Sequence, residues 1–219
     1  MSIKVIVTGT TGMVGEGVML ECLANPVVKE VLSVVRKSSG HKHPKLKELR
    51  VPDFLNLEDV KNQLSGYDAC FFCAGISSVG MSEVDYTRIT YDITLYFARS
   101  LVDLNPQMVF TYVSGAMTDS SEKGRVMWAR VKGKTENALM RLPFRSIYNF
   151  RPGLMKATVG QQKVKPLYKL MNSLYPIVSL FYPNGTCTLK EVGTAMINCV
   201  LKGYEKQVLE VRDIKVLGR

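Results

Sequence analysis

The stretch Val5-Ile6-Val7-Thr8-Gly9-Thr10-Thr11-Gly12-Met13-Val14-Gly15 leaves this chain few folds to choose from. A short β-branched run, Ile3 to Val7, reads as a buried strand. Three glycines at G-x-x-G-x-x-G spacing follow, and an apolar helical pattern then runs from about Met13 to Ala24. A strand, a tight turn and a helix in that order set the free N–H groups of the helix start against the strand's carboxyl end. Those donors and the positive end of the helix dipole make a site for a diphosphate. Gly9 is expected to allow the turn, Gly12 the approach of backbone to phosphate, and Gly15 close packing of helix on strand. Thr11, Met13 and Val14 complete the expected phosphate-binding turn.

The alternation continues down the chain. Glu30 to Arg36 reads as a second buried strand, and the position where a carboxylate would accept from an adenosine ribose hydroxyl holds Arg36 and Lys37. A guanidinium there grips a 2′-phosphate, which favours NADP(H) over NAD(H). The plainer alternative is a solvated basic loop. Leu49 to Pro52 is expected as a third strand, leading to Asp53 and Phe54, and Asn56 with Asp59 as the cap of a helix ending near Leu64. Tyr67 to Ala74 reads as a fourth strand, where Ala74 and Gly75 leave room for a cofactor. Ser82 with Asp85 caps a long helix to Leu104 whose apolar face is Tyr86, Ile89, Ile93, Tyr96, Phe97, Leu101 and Leu104. Met108 to Val113, a helix over Arg125 to Arg141, and Phe144 to Phe150 follow. Strands alternating with helices predict an α/β fold, a doubly wound parallel sheet of Rossmann type. The dinucleotide-binding core is expected over residues 1–153. Residues 154–219, with a capping box at Thr188–Glu191 and a short strand at Gln207 to Val211, are expected to form a small substrate-side lobe packed on it.

Composition narrows the partners. The formal charge of +10 points to anionic ligands, but the basic residues are spread along the chain without interleaved aromatics, so nucleic acid is not expected. No run of eighteen apolar residues suggests a transmembrane helix, and no basic leader suggests a signal peptide. An odd number of scattered cysteines, five, suits a reducing compartment, and the chain is expected to be cytoplasmic. Cys70 and Cys73 form a CxxC inside a strand, where odd spacing sends them to opposite faces; they are expected to pack, not to bind metal. His41 and His43 have no carboxylate or cysteine nearby in sequence, so no metal site is expected there. Leu167 to Tyr182 reads as a lid or lobe core rather than a peripheral membrane contact.

Taken together, VTGTTGMVG, Asp53-Phe54, Cys73-Ala74-Gly75, Ser114-Gly115, Val131-Lys132-Gly133 and Arg151-Pro152-Gly153 resemble an extended or atypical short-chain dehydrogenase/reductase. Nucleotide-sugar epimerase/dehydratases and NmrA-like proteins are the related groups. The resemblance implies that Lys132 binds the nicotinamide ribose, that Ser114 faces substrate, and that Pro152 and Gly153 border the cofactor. It also implies a catalytic tyrosine four residues before the lysine, on the same helical face. Trp128 stands there instead. An indole does not titrate near neutrality and cannot act as general acid or base. Tyr91, Tyr112 and Tyr168 are the candidate substitutes. The expected function is an NADP(H)-dependent oxidoreductase or epimerase-like enzyme on a small carbonyl or nucleotide-sugar substrate; the alternative is an NADP(H)-sensing regulator that binds a protein partner.

Overall fold

The computed structural model describes residues 2–162, 175–176 and 178–219. Its centre is a seven-stranded sheet in which every neighbouring pair is parallel. The strands are β1 (Ile3–Thr8), β2 (Val28–Val35), β3 (Leu46–Arg50), β4 (Ala69–Phe72), β5 (Val109–Val113), β6 (Ser146–Arg151) and β9 (Val208–Glu210), ordered β3-β2-β1-β4-β5-β6-β9. Strand order reverses between β1 and β4, so a crevice opens at the carboxyl ends of those two strands, where such sheets bind ligands.

Alternating side chains divide the core into two layers, as the strand period requires. Val5 and Val7 of β1 join a cluster with α1 (Met13–Ala24), α5 (Leu189–Lys202) and α6 (Val211–Leu217). Ile6 points the other way, into a cluster built on α3 (Ile93–Leu104), α4 (Met127–Leu139) and the 3-10 turn Glu58–Leu64. Cys70 lies in the second cluster while Cys73 packs against the first. The CxxC is therefore split between opposite faces, and burial raises both thiols' pKa. No group of three metal-ligating side chains occurs among the described residues.

Two local expectations change. Glu58–Leu64 is a 3-10 helix whose N-cap is Leu57 without a side-chain bond, so Asn56 does not cap it. Ser82 does cap: its Oγ accepts from Asp85 N at 3.1 Å, opening α2 (Glu83–Thr87). The long helix that follows is interrupted by a π-turn, Arg88–Asp92. The extra residue rotates the buried stripe, so that Thr90 and Thr94 turn inward in place of Ile89 and Ile93. Thr94 closes the turn by donating to Thr90 O at 2.7 Å.

The chain after residue 153 divides its residues between core and crevice. β7 (Leu154–Lys156) and β8 (Thr186–Thr188) form a separate two-stranded parallel sheet. Thr188 and Glu191 make the reciprocal capping box that starts α5, which packs on α1. β9 then closes the edge of the main sheet against β6. Of the stretch read as a lid or lobe core, Leu167 to Tyr182, residues 167–174 and 177 lie outside the described residues.

One buried ion pair ties this edge together. Arg151, at the end of β6, donates to both Glu136 oxygens on α4, to Ser120 Oγ and to Glu210 Oε1 at 3.2 Å. Glu136 is wholly buried, so removing its partner strands a charge away from water. Arg151→Met is expected to cost about 3–5 kcal/mol in urea unfolding, whereas the double change Arg151→Met with Glu136→Met recovers most of that loss.

Candidate functional site

The floor of the crevice is made by glycines whose missing Cβ atoms allow backbone to touch backbone. Gly9 has φ +71°, and a Cβ there would lie 2.7 Å from Ala74 N and from Cys73 O. A Cβ on Gly15 would strike the carbonyls of Gly9 and Thr8, so helix and strand meet directly. Gly12 differs: it is the N-cap of α1, it makes no side-chain cap, and a Cβ would meet only Gly9 O at 3.4 Å. Thr11 and Gly12 are exposed, and Met13 and Val14 are half-buried behind them. The start of a twelve-residue helix is thus left open to solvent with no side chain to satisfy its first donors. That is the arrangement a pyrophosphate needs.

Hydroxyls that sequence spacing did not single out hold this turn in place. Thr8 Oγ1 accepts from Cys73 N and Ala74 N, each at 3.1 Å, stitching the end of β1 to the end of β4. Thr10 is fully buried and its hydroxyl lies 2.6 Å from Ser33 Oγ on β2. In the first turn of α1, buried Glu16 pairs with His41 Nε2 at 2.9 Å and accepts from Gln162 N at 2.8 Å. Gln161 Nε2 donates to Met13 O at 2.6 Å. His41 therefore has a carboxylate partner, although none was near it in sequence. The β2–β3 loop and the segment after β7 are both fastened to the phosphate-binding helix.

Arg36 and Lys37 stand exposed at the end of β2, and their side chains make no hydrogen bond or ion pair among the described residues. The loop behind them is fixed: Glu48 accepts from Ser38 Oγ, Ser39 N and Ser39 Oγ. Asp53 is exposed and its Oδ1 accepts from Leu55 N at 2.9 Å, forming a turn. The Phe54 ring does not reach the crevice; it stacks on Phe97 at 5.4 Å in the core, leaving only its backbone for a ligand. Ala74 is half-buried and Gly75 exposed above Gly9. Gly153 is required for packing, because a Cβ there would collide with Gly185 O, while Pro152 O accepts from Ala116 N at 3.0 Å.

At the other end of the crevice the helix and strand bring Ser114 and Lys132 together. Lys132 Nζ donates to Ser114 O at 2.9 Å and Val113 O at 3.4 Å, and sits 5.5 Å from the centre of the Tyr112 ring. Burial lowers its pKa to about 8, opposed by the charge of Glu136. Ser114 Oγ lies 2.9 Å from Thr118 Oγ1. Trp128 is half-buried beside them; its ring comes 3.9 Å from where a Gly115 Cβ would stand. Of the candidate substitutes for the absent phenol, Tyr112 is buried and held un-ionised by burial, and Tyr91 packs 4.7 Å under Lys134. Tyr168 lies outside the described residues. Met117, φ +67° and exposed, projects from the turn between Ser114 and Thr118.

A model of the NAD dependent epimerase/dehydratase family matches residues 5–126, from β1 to the threshold of α4. The chain belongs to that family. It is 25% identical to the protein fmp52 of Emericella nidulans over 159 residues, 69% of this chain and 66% of that protein. It is 26% identical to fmp52-1 of Aspergillus terreus over 171 residues, 75% of this chain and 71% of that protein. Both fungal relatives are named as mitochondrial, and the chain spans about two thirds of their length. Among solved structures, the epimerase/dehydratase fold is shared with the Bordetella bronchiseptica enzyme WbmF in complex with NAD+ (TM-score 0.67, 14% identity, 98% of this chain and 77% of that one). It is shared also with the Helicobacter pylori ADP-L-glycero-D-manno-heptose-6-epimerase (TM-score 0.66, 15% identity, 99% and 80%). WbmF was solved with NAD+. No described helix is long and apolar enough to cross a membrane.

Gly9→Ala tests the floor of the site. The left-handed backbone and the contact with Cys73–Ala74 both oppose a methyl group, so the variant is expected to melt lower and to lose nicotinamide dinucleotide binding in a fluorescence titration.

Proposed function

We propose that this protein is an NADP(H)-dependent reductase of a small carbonyl substrate that works without the family's tyrosine. The observation that carries the reading is the placement of Lys132 against Ser114 at the end of β5, on the same sheet edge as the open start of α1. Gly9 to Val14 would hold the pyrophosphate, Arg36 and Lys37 the 2′-phosphate, and Lys132 the nicotinamide ribose. When bound, the nicotinamide supplies the hydride that adds to the carbonyl carbon. Ser114 Oγ, oriented by Thr118, donates to the substrate oxygen. The proton that this oxygen takes up comes from the Lys132 ammonium through a water held against Ser114, and solvent returns it. Trp128 walls the pocket and can donate a hydrogen bond but no proton. A reducing compartment suits the five free thiols, and the fungal relatives' names make a mitochondrial one the first to examine.

The pH profile follows from the direction of the Lys132 shift. Reduction needs the ammonium, so the rate is expected to be level below a pKa of about 8 and to fall about tenfold per pH unit above it. Lys132→Met should abolish that profile and lower kcat about 10²–10⁴-fold, and Trp128→Tyr should raise kcat by restoring a titratable group. Turnover by neither the parent nor Trp128→Tyr, with cofactor bound, would overturn the reductase reading. For the cofactor, Arg36→Ala with Lys37→Ala is expected to weaken NADPH binding at least tenfold and leave NADH unchanged. Equal losses for both would overturn the assignment to the 2′-phosphate.

A further inference from the structure

Around Ser114 the hydrogen-bond donors can be followed proton by proton. Thr118 Oγ1 donates to Gly115 O at 2.8 Å, which commits its single proton. In the 2.9 Å contact between the two hydroxyls Ser114 is therefore the donor. Ser114 can donate to a substrate oxygen only by giving up that bond. Lys132 has N–H bonds on the carbonyls of Val113 and Ser114, which take two of its three protons.

Trp128 is placed differently. It stands four residues before Lys132, on the same face of α4. Cζ3 of its ring comes 3.9 Å from where a Cβ would stand on Gly115, the residue after Ser114. The benzene half of the indole thus lies against the loop that follows β5. The side chain is half-buried, and its Nε1–H makes no hydrogen bond among the described residues. An indole N–H donates one hydrogen bond and accepts none. A donor fixed in place, with no other bond to break, is what a developing oxyanion needs.

From this we infer that Trp128 is a catalytic residue of the reduction, its Nε1–H donating to the carbonyl oxygen as negative charge gathers there. The inference rests on the reading of the site as a carbonyl reductase. As the carbonyl carbon takes the hydride of NADPH, the π pair of the C=O bond moves onto oxygen. Trp128 holds that oxygen by a hydrogen bond and keeps its own proton. The proton that completes the alcohol comes from the Lys132 ammonium through water. The indole does the binding part of a phenol's work, and the lysine does the titrating part.

Trp128 is the only tryptophan in the chain, so growth on β-(3-benzothienyl)alanine, in which sulfur replaces N–H, changes this position alone. The parent, the benzothienyl protein, Trp128→Phe and Trp128→Tyr are assayed with NADPH and 4-nitrobenzaldehyde. NADPH binding is followed separately by nicotinamide fluorescence. The expected result is a kcat about 10²–10³-fold lower in the benzothienyl protein and in Trp128→Phe. KM, NADPH affinity and the pH at which the rate falls should match the parent's. In the parent, the single indole N–H resonance should move downfield when 4-nitrobenzamide, an unreactive carbonyl, is added to the NADPH complex at concentrations that inhibit turnover. A benzothienyl protein as fast as the parent, or an indole resonance that does not move, would overturn the donor role and leave the reductase standing. Turnover by Trp128→Tyr but not by the parent would do the same. Turnover by neither, with NADPH bound, would overturn the reductase reading and this role with it.

Discussion

The whole arrangement depends on how closely α1 approaches the end of β1. Two carbon atoms that are not there, the Cβ positions of Gly9 and Gly15, let the helix rest on the carbonyls of Thr8 and Gly9 and let the turn pass over Cys73–Ala74. With any side chain at Gly15 the helix would have to move outward. Its open N-terminus would then no longer sit over the gap between β1 and β4, the one place where the sheet order reverses. Close contact of backbone with backbone also explains why hydroxyls gather here. Thr8 satisfies two amides, Thr10 meets the Ser33 hydroxyl, and both pin the loop without adding bulk.

From that fixed point the structure fastens outward in two directions. Buried Glu16 joins the helix to His41 of the β2–β3 loop and to Gln162 beyond β7, so the two segments share an anchor. A carboxylate in the first helical turn is favoured by the helix dipole, which offsets part of the cost of burying it. On the far edge, Arg151 performs the same office for β6, α4 and β9. Lys132 lies on α4, which Arg151 braces, and its ammonium meets the carbonyls of Val113 and Ser114 at the end of β5.

Much of this was legible in the chain. Parallel strands buried on both faces are rich in β-branched residues, and β1 and β2 were readable for that reason. The Ser82 cap and the Thr188–Glu191 capping box are local signals and fell where expected. The π-turn at Arg88–Asp92 was not legible, because a period of 3.6 fits Ile89 and Ile93 as well as it fits Thr90 and Thr94. Only the tertiary choice to bury the threonines distinguishes them. Phe54 and Gly153 show what sequence leaves unread. Their neighbours in sequence carry a binding signature, yet the Phe54 side chain fills the core and the space at Gly153 is taken by Gly185.

The sequence by itself determined the strand–turn–helix at the start, the alternation that requires a parallel sheet, the cations after β2, and the absence of a phenol four residues before Lys132. All of these are properties of residues close together in the chain, governed by local geometry and side-chain chemistry. The tertiary structure decided what depends on distant residues meeting. It gave Glu16 its histidine, set Lys132 on the carbonyls of β5 with its pKa lowered by burial, enclosed Tyr112 beyond the reach of ionisation, and returned the last helix and strand to the core. Burial and long-range pairing are made by the whole fold, and no window of sequence contains them.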